Sequence, residues 1–324
     1  MTVSEVLTNR VKNFTLNHYS LQNWLDSRSV NKRLKRNPLD IEFLIYSRLI
    51  LGQPLLFGRL GGIEAHSLGL YLDSRRKMRK PIRYLQFLIF INKRKAQLCN
   101  NAGVYPVDEE SFEYFCRLHL EALRETDILS VWGKPFSWVE TEATNRLDTL
   151  VVSGDFSYPW LESRDGISAF GWAKAFDGKK VLVVSPFVES ISEQVHQLER
   201  IFPTLDIPKV RYSFIKAPMT QGGLNDGLSY KMHLEDMISQ VKQQDFDILL
   251  VSAGAYSLPL AAFAKKMGRI GIHGGGATQI FFGITGSRYD DYAQVVSHIN
   301  HYWKRPAAHE RPSNWKSIEN GCYW

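Results

Sequence analysis

Residues Asp247 to Gly286 read DILLVSAGAYSLPLAAFAKKMGRIGIHGGGATQIFFGITG. An apolar run, Ile248 to Ser252, stops at Gly254, and a helix-like segment, Leu258 to Met267, follows. A second short apolar run, Ile270 to Ile272, stops at the triple glycine Gly274 to Gly276, and another helix-like segment starts at Ala277. The stretch predicts strand, glycine turn, helix, twice over. In open parallel sheets such turns lie at the carboxyl ends of the strands, where ligands bind. Two in succession point to a ligand that the backbone must approach closely, and a phosphate fits that role.

The same alternation extends in both directions. Lys179 to Ser185 (KKVLVVS) has the continuous β-branched run of a strand buried on both faces. Helices are predicted at Asp40 to Leu51, Ile63 to Leu72, Glu109 to Arg124 (with Asp108 as N-cap), Glu189 to Ile201, Leu228 to Gln243 and Tyr289 to Trp303. Strands are predicted at Leu55 to Phe57, Ile128 to Trp132, Thr149 to Val152 and Val210 to Ile215. This pattern predicts an α/β fold with a Rossmann-like, mainly parallel sheet and helices on both faces. Residues 1–50 read as a basic helical extension, 51–303 as the α/β body, and 304–324 as a tail packed on it. Trp315, Tyr323 and Trp324 are costly to leave in water, which argues for an ordered tail.

Composition narrows the class. The chain has 324 residues, 44% hydrophobic and 23% charged, as expected of a folded globular protein. No run approaches the roughly 18 apolar residues of a membrane helix, and MTVSEVLTNRVKNF lacks the apolar core of a signal peptide. Cys99, Cys116 and Cys322 are odd in number and form no CxxC pair, so they read as reduced thiols in a cytoplasmic protein. Residues 1–95 hold 18 Lys and Arg against 6 Asp and Glu, although the whole chain is only +7. Arg75, Arg76, Lys77, Arg79, Lys80 and Arg83 concentrate that charge. The patch predicts peripheral contact with an anionic membrane surface, at its inner face, or with a polyanionic glycan. A solvated basic loop accounts for it equally well. No nucleic-acid signature accompanies it.

Candidate site residues fall at the predicted carboxyl ends. In Phe57-Gly58-Arg59-Leu60-Gly61-Gly62-Ile63-Glu64, Arg59 can grip a phosphate bidentately. Gly61 and Gly62 allow close backbone approach, and Glu64 can hold a divalent metal or act as a base. The same residues also suit a plain tight turn with a helix-dipole carboxylate. In the opening stretch, Gly254, Gly274 and Gly275 can present backbone N–H groups, Tyr256 can stack on a base, and Gln279 follows on a first helical turn. His273 can donate to a phosphate or ligate a metal, though a lone histidine is more often structural. Ser185, Ser190, Lys216, Asp155 and Trp132-Gly133 point to the same rim if the sheet is parallel. Ser190 reads better as a helix cap. No Walker motif, no GxGxxG with a downstream ribose-binding acid, and no Ser-His-Asp or Cys-His ordering is present. Nucleotide hydrolases of the P-loop type, nicotinamide oxidoreductases and triad hydrolases are therefore disfavoured.

At these residues the chain resembles bacterial sugar transferases of the GT-D fold, and more closely the GT-D-like proteins found with capsule and surface-polysaccharide genes. The family pattern Arg-x-Gly-Asp-Gly-Glu is met here by Arg59-Leu60-Gly61-Gly62-Ile63-Glu64. Lys180 to Gln194, Asp247 to Arg288, Tyr302 to Pro306 and Gly321 to Trp324 carry the rest of the likeness, which spans roughly residues 50–324. The resemblance implies a glycosyltransferase that moves a sugar from a nucleotide-sugar donor to a surface polysaccharide or other glycan. It implies a divalent cation, Mn2+ or Mg2+, near Glu64. It also implies a diphosphate held by Arg59 and the turns at Gly254 and Gly274. Gly62 stands where the family has Asp, and His273 where a related pattern has an acid. This departure leaves open a non-catalytic nucleotide-binding or scaffold protein of a polysaccharide assembly complex.

Overall fold

A computed structural model describes residues 38–75, 81–131, 139, 149–153, 171–223 and 226–324. The extension over residues 1–37, most of the basic run (Arg76 to Lys80), Trp132-Gly133 and Asp155 lie outside the described residues.

Among the described residues seven strands form one sheet: β1 (Leu55–Arg59), β2 (Ile128–Val131), β3 (Leu150–Ser153), β4 (Lys180–Ser185), β5 (Arg211–Lys216), β6 (Ile248–Val251) and β7 (Ile270–His273). Their order is β3-β2-β1-β7-β6-β4-β5, and every pairing is parallel. The chain therefore has the α/β, Rossmann-like architecture that the alternation predicts. Apolar strand residues divide by parity between two layers. Leu56, Leu129, Leu182, Val184, Leu249 and Val251 face one; Leu55, Phe57, Ile128, Val183, Leu250 and Ile272 face the other. Each fully buried Leu, Val or Ile contributes about 1.5–3 kcal/mol relative to exposure, which is why a sheet covered on both faces needs such unbroken runs.

The helices Gly62–Ser74, Glu109–Arg124, Tyr230–Lys242 and Ser257–Lys266 cover the first layer. The helix Pro38–Ile50, the turn Trp172–Phe176 and the helices Val188–Gln194 and Ala277–Phe281 cover the second. Two aspartates help set the register. Asp127, just before β2, accepts a hydrogen bond from Leu56 N of β1 (2.7 Å), and Asp247, just before β6, accepts one from Lys180 N of β4 (2.8 Å). One glycine is needed for packing alone. A methyl group at Gly271 of β7 would overlap the Ala261 carbonyl oxygen of the helix Ser257–Lys266, so that helix lies directly on the strand.

Local signals hold where caps are strong. Asp108 accepts from Ser111 N (2.8 Å) and starts the helix Glu109–Arg124 at the predicted residue. Ser229 likewise caps Tyr230–Lys242 through Met232 N (3.2 Å), trimming the expected Leu228 start. Two predicted helices are corrected. Glu189 to Ile201 is divided into Val188–Gln194, a 3-10 turn and Leu198–Ile201. The Gln194 side chain turns to donate to the carbonyls of Gly283 (3.2 Å) and Tyr302 (3.0 Å), and Gln197 leaves helical geometry (φ −134°, ψ 21°). Tyr289 to Trp303 keeps only the short helix Ala293–Val296 beyond a 3-10 turn. Asn300 ends it by donating to Ile201 O (3.0 Å) while accepting from Tyr302 N (3.0 Å), a local pattern that competes with helix.

Candidate functional site

The site follows from the strand order. β1 and β7 are neighbours, but the helix after β1 covers one face and the helix after β7 covers the other. Their connecting loops part, and a crevice opens at the carboxyl ends. β4 and β6, also neighbours, diverge in the same way. The resulting cleft holds about 560 Å³ and is lined from the ends of β1, β4, β6 and β7, from the loop after β5 and from the tail.

Arg59 and His273 tie two distant segments together. The sheet register sets Phe57 opposite Ile272. One residue further, His273 Nδ1 lies 3.0 Å from the Arg59 carbonyl oxygen. A carbonyl only accepts, so Nδ1 carries the proton and Nε2 the lone pair. Burial, with the positive charge of Arg59 nearby, holds His273 well below the usual imidazole pKa, so the ring is neutral. The Arg59 guanidinium donates from Nη1 to the Gly274 carbonyl (3.3 Å). It lies against Gly275, where an added Cβ would come within 3.2 Å of Cζ. Gly275 is also left-handed (φ 54°), a conformation glycine adopts without steric cost. Ser252 Oγ donates to the Gly275 carbonyl (2.8 Å) and fixes this turn.

Glu64 sits in the first turn of the helix Gly62–Ser74, whose N-cap, Gly61, offers no side chain. The carboxyl group folds back over Gly61, leaving no room for a side chain there. Burial raises the Glu64 pKa to about 7, and the charge of Glu319 adds to the rise; its own backbone N–H and Arg59 oppose it. A carboxyl group half ionised near neutral pH is suited to proton transfer.

Arg288 and the tail supply what sequence reasoning missed. Arg288, Ile318, Glu319, Tyr323 and Trp324 line the cleft together with Phe187, Met219 and Gln221. Glu319 (φ 45°), Asn320 (φ 59°) and Gly321 (φ 74°) are three successive left-handed residues. For the two that carry a Cβ this costs on the order of 1 kcal/mol or more each. The turn brings Glu319 to Arg288, whose Nη2 donates to it, and to Tyr323, whose hydroxyl also donates to it (2.9 Å). The tail is held further back by Glu310. This buried carboxylate accepts from the backbone N–H groups of Glu189 (2.9 Å) and Ser190 (3.2 Å) and from the Ser190 hydroxyl. Ser190 thus lies inside the helix Val188–Gln194, whose N-cap is Phe187, and it binds the tail instead of capping the helix or lining the cleft. The triplet Glu319-Asn320-Gly321 was a readable turn signal, but nothing in the sequence says where it folds back.

The expected residues separate into two groups. Arg59, Gly61, Gly62, Glu64, Gly254, His273 and Gly275 line the cleft. Gly274 borders it and offers its carbonyl to Arg59. The other four make structural contacts. Ser185 is buried, and its hydroxyl accepts from Phe187 N (3.2 Å) in a local turn. Lys216 pairs with Glu189 (2.6 Å) beside a different hollow. Tyr256 is wholly buried, stacked on Tyr230 with ring centroids 4.9 Å apart, and bonded near Thr220 (3.2 Å); no face remains for a base. Gln279 donates to the Tyr323 carbonyl (3.0 Å), so it secures the tail.

A divalent cation needs several converging oxygen ligands. Among the described residues no group of three His, Cys, Asp or Glu side chains converges. Glu64 alone, half protonated, does not make such a donor set. Cys99, Cys116 and Cys322 are all free thiols. Among the described residues no helix is long and apolar enough to cross a membrane.

No family model, curated protein or solved structure matches this chain. What fold and site define is a Rossmann-like α/β protein with a cleft of mixed polar and apolar lining at the carboxyl ends of a parallel sheet.

Proposed function

We propose that this cleft binds a nucleotide sugar and that the protein is a glycosyltransferase acting on a glycan acceptor. One observation carries the reading: Arg59 and Glu64, at the end of β1, meet His273 and Gly275, at the end of β7, within one cleft. Arg59, with Arg288 across the glycine turn, compensates the charge of the diphosphate. The bond between the sugar's anomeric carbon and the diphosphate oxygen breaks, and a bond from that carbon to the acceptor oxygen forms. Ionised Glu64 takes the acceptor's proton, and the nucleoside diphosphate leaves with the bonding pair. His273 offers the Nε2 lone pair to a hydroxyl of the donor sugar and holds the Arg59 backbone through Nδ1. No step is routed through a cation.

Transfer from radiolabelled nucleotide sugars to a capsular or surface-glycan acceptor tests the reading. Incorporation in the wild type and its loss in Glu64→Gln is the expected result. Absence of both transfer and donor hydrolysis, with nucleotide binding intact, favours the second reading: a non-catalytic nucleotide-binding protein of a polysaccharide assembly complex. Gly62 in place of an acid is the observation on its side.

A further inference from the structure

The cleft is lined by charged side chains, Arg59, Arg288, Glu64 and Glu319, and by apolar ones, Phe187, Met219, Ile318 and Trp324. A row of rings connects the two. The Arg288 guanidinium lies 4.6 Å from the Tyr323 ring centroid, Tyr323 lies 5.8 Å from Trp324, and Trp324 lies 5.8 Å from Phe187. The Tyr323–Trp324 and Trp324–Phe187 planes meet at 83° and 80°, so these rings meet edge to face and do not stack on one another. The Trp324 indole N–H is buried without a hydrogen-bond partner among the described residues. Gln221, beside Gly254, brings to the same cleft an amide with both a donor and an acceptor.

We propose, resting on the nucleotide-sugar reading of this site, that the tail-built wall holds the nucleobase of the donor. The base lies against Trp324 and Phe187, and the Gln221 amide reads its edge. A planar heteroaromatic ring joined to an anionic group matches a cleft that combines aromatic and apolar lining with two arginines. Stacking against aromatic side chains tolerates any base, so the wall supplies affinity and Gln221 supplies discrimination.

Titration calorimetry on the full chain with UDP, GDP, TDP, CMP, UDP-glucose and inorganic pyrophosphate tests the assignment. Trp324→Ala weakens the best-bound nucleotide by about tenfold or more, the loss expected when one base–aromatic contact is removed, and leaves pyrophosphate unchanged. Trp324→Phe retains most of the affinity. Gln221→Ala, at a partly exposed position, flattens the preference among bases. Equal weakening of nucleotide and pyrophosphate by Trp324→Ala overturns the assignment. So does weakening of UDP-glucose without weakening of UDP, which puts the sugar on the wall instead. Nucleotide binding unaffected by either Trp324→Ala or Gln221→Ala removes the base wall and leaves the nucleotide-sugar reading standing. Failure of every nucleotide to bind the wild type removes both.

Discussion

Glu64 and Arg59 are where the chemistry of the proposal is decided. A carboxyl group whose pKa is raised by burial makes the folded state bind its proton more tightly than the unfolded state. The stability associated with that proton is fully present below the ordinary carboxyl range and is lost as pH rises through about 7. Glu64→Gln removes the titration, so the variant is expected to be more stable than the wild type at pH 8, by roughly 1–3 kcal/mol, with little difference at low pH. Urea unfolding of both proteins across that range checks the sign. As a base, Glu64 must be ionised, so kcat/KM should rise through about pH 7 and then level off. A profile that falls there contradicts the role. Arg59→Ala should weaken diphosphate binding by about 1.5–3 kcal/mol, and Arg59→Lys should not restore it, because a point charge lacks the planar fork. Isothermal titration of the three proteins with the best-bound nucleoside diphosphate measures both effects.

Elements were legible in the sequence to the degree that their signals are local. Asp108 and Ser229 act through hydrogen bonds a few residues away, so the helices they cap begin at or near the expected residues. Gln194 and Asn300 act through carbonyls about a hundred residues away, so the helices containing them were overestimated. The glycines divide similarly. Gly275 serves the cleft, but Gly271 serves the contact between β7 and the helix above it. Gly271→Ala should destabilise the fold by about 1–3 kcal/mol, the range for overpacking, read as a lowered thermal midpoint. An unchanged midpoint means the helix can slide off the strand without cost. Glu310→Ala leaves the backbone N–H groups of Glu189 and Ser190 without their carboxylate. Faster proteolytic cleavage within residues 304–324, with the sheet intact, is the expected consequence. Cleavage at the wild-type rate shows that Glu310 does not secure the tail.

For the whole molecule, alternation of strand and helix was enough to predict a parallel sheet with two covered faces. It was also enough to bring Arg59, Glu64, His273 and Gly275 to one rim, because in such a sheet all carboxyl ends share a side. Where on the body the tail packs was not legible. Arg288, Glu319 and Trp324 reach the cleft through tertiary contacts that no periodicity records. That same limit explains Tyr256, which follows a glycine turn yet points into the core against Tyr230. The charge asymmetry of the chain belongs at this scale as well. Weak, salt-sensitive partitioning onto anionic lipid vesicles is expected, and charge reversal at Arg75–Arg79 should abolish it. Unchanged partitioning after reversal would remove the membrane contact from the account.

The central claim is that Arg59 and the turns at Gly254 and Gly275 hold the diphosphate of a nucleotide. Calorimetric titration of the full chain with UDP, GDP, TDP and CMP, with and without manganese or magnesium, addresses it most directly. The account predicts saturable binding of at least one of the three diphosphates, tighter than CMP, weakened tenfold or more in Arg59→Ala by about 1.5 kcal/mol of lost interaction. Absence of binding to all four, in either metal condition, contradicts it.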